Sequence, residues 1–380
     1  MGTIMDYLFW RGDLSFLVDP LNDIDVLILS LISYLPLKDI VPDMESRQQI
    51  SLKETSDQYF SRSQNKQAAS SNIKPTASPS FDSGLLALLR EAANSVRFKD
   101  VKLSNYVEEM DFVVGQQFGA VTFTLPGKEF ETVIAFRGTN NSLIGWKEDF
   151  ELAYMEQIPA QESAARYLNK TINIFSGKVI VCGHSKGGNL AVYAGSHINK
   201  SLRNKLSKIV NFDGPGFDFS IIPQGLFSHC ENQVVNYIPE ESVVGMLLEP
   251  VGKRVVLSSL ARGLNQHNAL NWKVKQSKFV SGTLSKTTQL LEHTLRTWLA
   301  DLPVGKREIF IEALFDILGA SEGKTIDPKE NLKDARTILL KYSKLDSESR
   351  RLLNEVILSF YAKSRNTLSA TIIENLPRIV

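Results

Sequence analysis

The sequence predicts an α/β fold: a mainly parallel central sheet flanked by helices, with a helical C-terminal region. Two observations carry this. Between about residues 116 and 259, short apolar strands alternate with helical segments, the pattern of a largely parallel sheet covered on both faces. Beyond about Leu284 the strands stop, and the apolar spacing becomes that of successive amphipathic helices.

The elements follow in order. Residues 1–43 form an N-terminal helical segment packed on the core. Within it Val26 to Leu35, VLILSLISYL, is too short to span a bilayer and is bounded by Asp25 and Pro36, so it reads as a buried helix. Asn22, Asp23 or Asp25 opens it and Pro36 ends it. Residues 44–80 are polar and rich in Ser and Gln, and bury too little apolar area to offset their ordering entropy. We read a surface insertion with a short helix at its start and a mobile end; the alternative is a mobile cover over the site. Residues 81–283 form the α/β core. Leu85 to Ala93 is a short helix, 116–125 and 132–138 are strands around a Pro126-Gly127 turn, and 145–155 and 159–174 are helices. Strand 178–183 leads into helix 186–199, and strands 207–213, 232–238 and 254–259 follow. The C-terminal region, 284–380, is read as helices at 284–302, 307–318, 329–343 and 345–361.

Composition narrows the function classes. With 43% hydrophobic and 22% charged residues the chain reads as folded, and a net charge of +1 points to neither nucleic acid nor an anionic membrane. Cys182 and Cys230 are not close-spaced, which argues against a disulfide framework or structural zinc and fits a reducing compartment. The start, MGTIMDYLFWRGDLSF, lacks the basic and apolar regions of a secretory signal. A cytoplasmic protein without stable membrane insertion is expected.

Residues 183–187, Gly-His-Ser-Lys-Gly, match G-x-S-x-G between an apolar strand and a helix. A sharp strand-to-helix turn needs close backbone approach, which Gly183 and Gly187 permit. Ser185 would then stand exposed at the carboxyl edge of the sheet, at a helix N-terminus that favours developing negative charge. This is the context of the nucleophile in an α/β-hydrolase. A serine needs a base. Of the five histidines, His267 lies in a polar loop after the last strand, as the chain order Ser, acid, His requires. His184 adjoins the serine but is turned elsewhere by the strained turn. The acid should follow an intervening strand: Glu241 is preferred, with Glu240 and Asp213 as alternatives. The oxyanion donors are read as the Lys186 backbone N–H and Thr139, in a loop that Gly138 allows to approach closely and Arg137 braces. Trp146 and Asp149 are assigned to packing and loop anchoring. The Lys186 side chain is expected in solvent, with a carboxylate partner or an anionic substrate as the alternatives.

Segments IAFRGTNNSLIGWKEDF (134–150) and VCGHSKGGNLA (181–191) resemble the class 3, or fungal-type, triacylglycerol lipases. The whole chain is more similar to uncharacterised lipase-like proteins of Gram-positive bacteria, through MDYLFWRGDLSF, NDIDVLILSLISYL, NFDGPGF, NYIPEESVVGMLL, LNQHNALNW and RTWLADLPVGKREIFIEALFDIL. The resemblance implies that Ser185 is the nucleophile, Thr139 the side-chain-assisted oxyanion residue and His267 the base. The acid in class 3 lipases is an Asp in a D-x-V-P setting, and the equivalent region here, EESVVG, carries Glu. The implied reaction is hydrolysis of a small-molecule or lipid-derived ester through an acyl-enzyme, without metal or organic cofactor. A thioesterase and a catalytically silent binding scaffold are the alternatives. The C-terminal helices would cover the site or form a homodimer.

Overall fold

The computed structural model describes residues 2–62, 81–111, 115–127, 131–139 and 143–318, with 342–345, 347, 349–351 and 354–355. Eight strands lie side by side in the order in which the chain makes them: β1 (Ile50–Ser51), β2 (Lys102–Asp111), β3 (Gln116–Thr124), β4 (Thr132–Phe136), β5 (Val179–His184), β6 (Leu206–Phe212), β7 (Val234–Pro239) and β8 (Lys253–Leu257). Neighbours are antiparallel from β1 to β4 and parallel from β4 to β8. The helices are α1 (Ile4–Arg11), α2 (Asp23–Ile32), α3 (Leu52–Ser61), α4 (Phe81–Asn94), α5 (Leu143–Glu151), α6 (Pro159–Thr171), α7 (Lys186–Ser196), α8 (Lys286–Asp301) and α9 (Val304–Leu318).

This order decides how the sheet is covered. Parallel strands laid down in sequence with right-handed crossovers put every connecting helix on one face. There, Ile134, Val181 and Ile209 pack with Ala164 and Leu168 of α6 and Leu190 and Ala194 of α7. The other face needs helices from elsewhere, and the N-terminal region supplies them. Val133, Ala135, Ile180, Cys182 and Val210 pack there with Ile28 and Leu31 of α2 and Leu88 and Ala92 of α4. Strand β5 is buried along its whole length, which is why its sequence is a continuous apolar run.

Helix α2 is the expected buried helix. Asn22 caps it, accepting the Ile24 N–H at 2.9 Å, and Asp25 Oδ2 accepts the Asn22 N–H at 2.9 Å. The helix stops at Ile32, short of Pro36, where the Ser33 hydroxyl donates to the Ser30 carbonyl. Asp25 is fully buried and takes a forked ion pair from Arg97, with Nε–Oδ1 at 2.8 Å and Nη2–Oδ2 at 2.5 Å. Tyr7 of α1 donates to the same carboxylate at 2.8 Å. One satisfied charge pair thus joins α1, α2 and the turn after α4.

Strand β2 has no counterpart in the sequence reading. Its outer half, Glu108 to Asp111, is polar and lies near the sheet edge, so it lacks the apolar run that marks the inner strands. The polar stretch after residue 44 opens with β1 and α3, and Leu52 and Tyr59 are buried. Its later part, 63–80, lies outside the described residues, as does most of the expected helical stretch 329–361. Helix α9 packs on α5, where Lys147 pairs with Glu312 at 2.8 Å. Among the described residues no helix is long and apolar enough to cross a membrane.

Candidate active site

Strand β5 ends in a backbone that is too tight for side chains. A Cβ on Gly183 would lie 2.1 Å from the Gly187 carbonyl, and one on Gly187 would lie 2.2 Å from the Phe136 carbonyl oxygen. Between them Ser185 takes φ 58° and ψ −134°, a region that non-glycine residues rarely occupy. Two bonds hold it: its N–H donates to Phe212 O at 2.9 Å, and Gly188 N–H donates to its carbonyl at 2.8 Å. The hydroxyl is thereby carried to the carboxyl edge of the sheet, at the start of α7.

Asp213 sits at the tip of β6, beside β5, again with positive φ, 53°. Its N–H donates to Tyr237 O at 2.8 Å, and the turn beyond it is pinned by Gly214 N–H on Asn211 Oδ1 at 2.8 Å. Its carboxylate is fully buried. Oδ1 accepts the Ser242 hydroxyl at 2.5 Å, and Oδ2 lies 2.7 Å from His267 Nδ1. His267 Nε2 lies 3.0 Å from Ser185 Oγ. A carboxylate only accepts, so Nδ1 carries the proton and Nε2 offers its lone pair to the serine.

The preferred carboxylate, Glu241, is therefore not the one against the imidazole. Its Oε2 accepts Gly263 N–H at 2.5 Å and Gln266 Nε2 at 3.1 Å, while its own N–H donates to Gln266 Oε1 at 2.9 Å. Glu240 accepts the Ser258 hydroxyl at 3.0 Å. The reason is strand order. Asp213 ends the strand next to the serine's own, whereas the glutamates follow β7, one strand spacing of about 4.8 Å farther. Glu241 instead clamps the short 3₁₀ turn Gly263–His267 from outside.

His184 is turned away from Ser185, toward the loop that carries the second histidine. Its Nε2 lies 2.8 Å from His267 O and its Nδ1 2.9 Å from the Tyr34 hydroxyl. Burial, with the charge of His267 adding, pushes its pKa down to about 3, so the ring is neutral. The neutral ring donates Nε2–H to the His267 carbonyl and accepts at Nδ1 from Tyr34. The two imidazoles stand 4.7 Å apart, and the His184 ring lies 6.0 Å from Phe81 at an interplanar angle of 27°.

The loop after β4 runs past this cluster. Gly138 passes so close that a Cβ would fall 2.1 Å from the Tyr34 hydroxyl and 2.5 Å from His184 O. Thr139 donates its hydroxyl to Asp149 Oδ2 at 2.6 Å, and burial raises the Asp149 pKa to about 6. Arg137, 5% exposed, donates Nη1 to Glu108 Oε1 at 2.6 Å. The Trp146 side chain lies outside the described residues.

Lys186 departs from the expected solvent-exposed side chain. It is fully buried, with Nζ on Glu148 Oε2 at 2.6 Å and on Gln117 O at 3.0 Å. The carboxylate partner outweighs the cost of a cation at a helix N-terminus. The sequence reading also missed Tyr34, Ser242 and Glu148, and gave His184 no role. All four lie in segments quoted above, but their contacts come from neighbours distant in the chain, which no segment by itself displays.

Among solved structures, the crystal structure of M37 lipase is similar at 17% identity, covering 72% of this chain and 79% of that one with a TM-score of 0.36. No curated protein matches the chain. Residues 92–316, more than half of the chain, match the Mbeg1-like family model, and the protein belongs to the Mbeg1-like family.

Proposed function

We propose that the protein is a serine hydrolase that cleaves carboxylic esters through an acyl-enzyme on Ser185. The observation that carries this reading is the continuous chain Ser185 Oγ, His267, Asp213, with links of 3.0 and 2.7 Å, built on a strained turn. In the reaction His267 Nε2 takes the Ser185 proton as Oγ bonds to the ester carbonyl carbon. The tetrahedral oxyanion is held by the Lys186 N–H and by Thr139. Collapse breaks the carbonyl–alkoxy bond, and the alcohol leaves with the proton from His267. Water, losing a proton to His267, then attacks the acyl carbon; collapse breaks the acyl–Oγ bond, the carboxylic acid leaves, and His267 returns the proton to Ser185 Oγ. Asp213 holds the Nδ1–H tautomer and stabilises the imidazolium. Ester specificity rests on the resemblance to class 3 lipases; the triad chemistry also admits thioesters. Two buried free thiols, Cys182 and Cys230, support a cytoplasmic setting.

The test is stoichiometric labelling by a fluorophosphonate, read as intact mass on wild type, Ser185→Ala and His267→Ala. One adduct on wild type, lost in the first variant and slowed in the second, is expected. No adduct on folded wild type would refute the reading and favour a binding scaffold.

A further inference from the structure

The two oxyanion donors of the proposed reaction come from different elements. One is the backbone N–H of Lys186, at the turn between β5 and α7. The other is Thr139, in the loop between β4 and α5. Both lie beyond the ends of the paired strands, where close backbone approach at Gly138 and Gly187 draws the two loops together but leaves the setting of Thr139 to further contacts. A polar chain, buried at its Glu148–Lys186 end, joins them. Thr139 bonds Asp149, and Asp149 follows Glu148 on α5. Glu148 bonds the ammonium of Lys186 itself, at 2.6 Å.

The ion pair at its centre is well partnered, whereas Asp149 Oδ1 is buried without a hydrogen-bond partner among the described residues. Glu148 is fully buried and takes three donors: Lys186 Nζ, Gln117 N–H at 3.0 Å and Ala160 N–H at 3.0 Å. Lys186 Nζ is also tied to Gln117 O at 3.0 Å. The pair therefore sits between β3, α5, the start of α6 and the start of α7. A buried ion pair gains little stability over apolar residues of the same volume, so stability alone does not explain it. What it adds is one allowed geometry and a fixed charge.

We propose that the buried Lys186–Glu148 pair is a positioning strut that sets the spacing between the two oxyanion donors of the serine hydrolase site. This rests on the serine hydrolase reading above. The ammonium has a second effect in the same direction. Asp149 is faced by Lys186 from α7, Glu148 from its own helix, His267 from its loop and the Tyr34 hydroxyl from the end of α2. Among these Lys186 is the leading influence that keeps the Asp149 carboxylate ionised against its burial. An ionised Asp149 holds the Thr139 hydroxyl as a donor and leaves the Thr139 N–H for the substrate oxygen.

The experiment measures the second-order rate of fluorophosphonate labelling against pH, with thermal unfolding of each protein as the folding control. Lys186→Met strands a buried carboxylate and risks unfolding, so Lys186→Met/Glu148→Gln, which removes both charges, is made beside it. Each is also combined with Thr139→Val. The double variant is expected to unfold cooperatively and to label about a hundredfold more slowly, the scale of one lost oxyanion donor. Its effect should be much smaller in the Thr139→Val background, because the strut acts through that residue. The acid limb of the rate profile should also move to higher pH, since Asp149 loses Lys186, the strongest influence lowering its pKa, together with the smaller opposing influence of Glu148. Labelling of the folded double variant within threefold of wild type would overturn the strut. So would a large loss that is simply additive with Thr139→Val. Absence of labelling in wild type is a different result: it would overturn the hydrolase reading, and the strut with it.

Discussion

His184 is held as a neutral imidazole at the centre of the site, and that has a cost in acid. Its folded pKa is pushed from 6.5 down to about 3 by burial and by His267. For a base with a depressed folded pKa, the contribution to stability is present above the unfolded value. It is lost as pH falls from about 6.5 toward about 3. A tenfold difference in proton affinity between the folded and unfolded chain is worth about 1.4 kcal/mol, so between pH 7 and pH 4 this ring removes about 3 kcal/mol. We expect His184→Gln, which has no titrating group, to escape that part of the acid loss. The assay is urea unfolding of both proteins at the two pH values, analysed by linear extrapolation. The variant starts lower at pH 7, because the imidazole contacts to Tyr34 and the His267 carbonyl are gone. Only the change with pH is diagnostic. Wild type should lose about 3 kcal/mol more than the variant on going from pH 7 to pH 4. Equal losses would mean that the ring is not kept neutral by its surroundings, and the assigned tautomer would fall.

Two further outcomes follow from the same geometry. Asp213→Asn should lower the ester hydrolysis or labelling rate about a thousandfold or more by presenting the wrong tautomer of His267, whereas Glu241→Gln should cost about tenfold or less. A steady-state or labelling rate on each variant decides between the two carboxylates, and the reverse ranking would restore Glu241 as the acid. Arg97→Met should lower the unfolding free energy by about 3–5 kcal/mol, because it strands Asp25 as a buried unpaired charge. Chemical denaturation measures this, and a loss below about 1 kcal/mol would show that the pair is not desolvated as described.

What could be read in advance follows a physical division. The turn at Ser185 was legible because its requirements are local: an apolar strand, two glycines where backbones touch, and a helix directly after. Helix α2 was legible because an all-round apolar run of that length has no other stable home. The carboxylate beside His267 differs from the preferred one because chain order says which strand follows which, not which tip faces the imidazole. Asp213 gains that place from a left-handed backbone at the end of β6, which no composition rule announces. Lys186 was misjudged for a related reason. A lysine is placed in solvent by default, and only the arrival of Glu148 from α5 makes a buried site tolerable. Strand β2 was missed because its outer half carries a run of mostly polar residues in place of an apolar strand pattern.

The covering of the second sheet face has a consequence for biosynthesis. Helix α2 emerges early, yet the strand it covers comes much later: Tyr34 and its partner His184 are 150 residues apart. At about 5–20 residues per second, the ribosome leaves this apolar helix without its docking surface for roughly 8–30 s. Neither α1 nor α4 can enclose it alone, since it also packs on β4, β5 and the strand Lys278–Phe279. The nascent chain therefore carries a sticky segment until β5 has been made, and truncated products that end before β5 should be taken up by chaperones or aggregate.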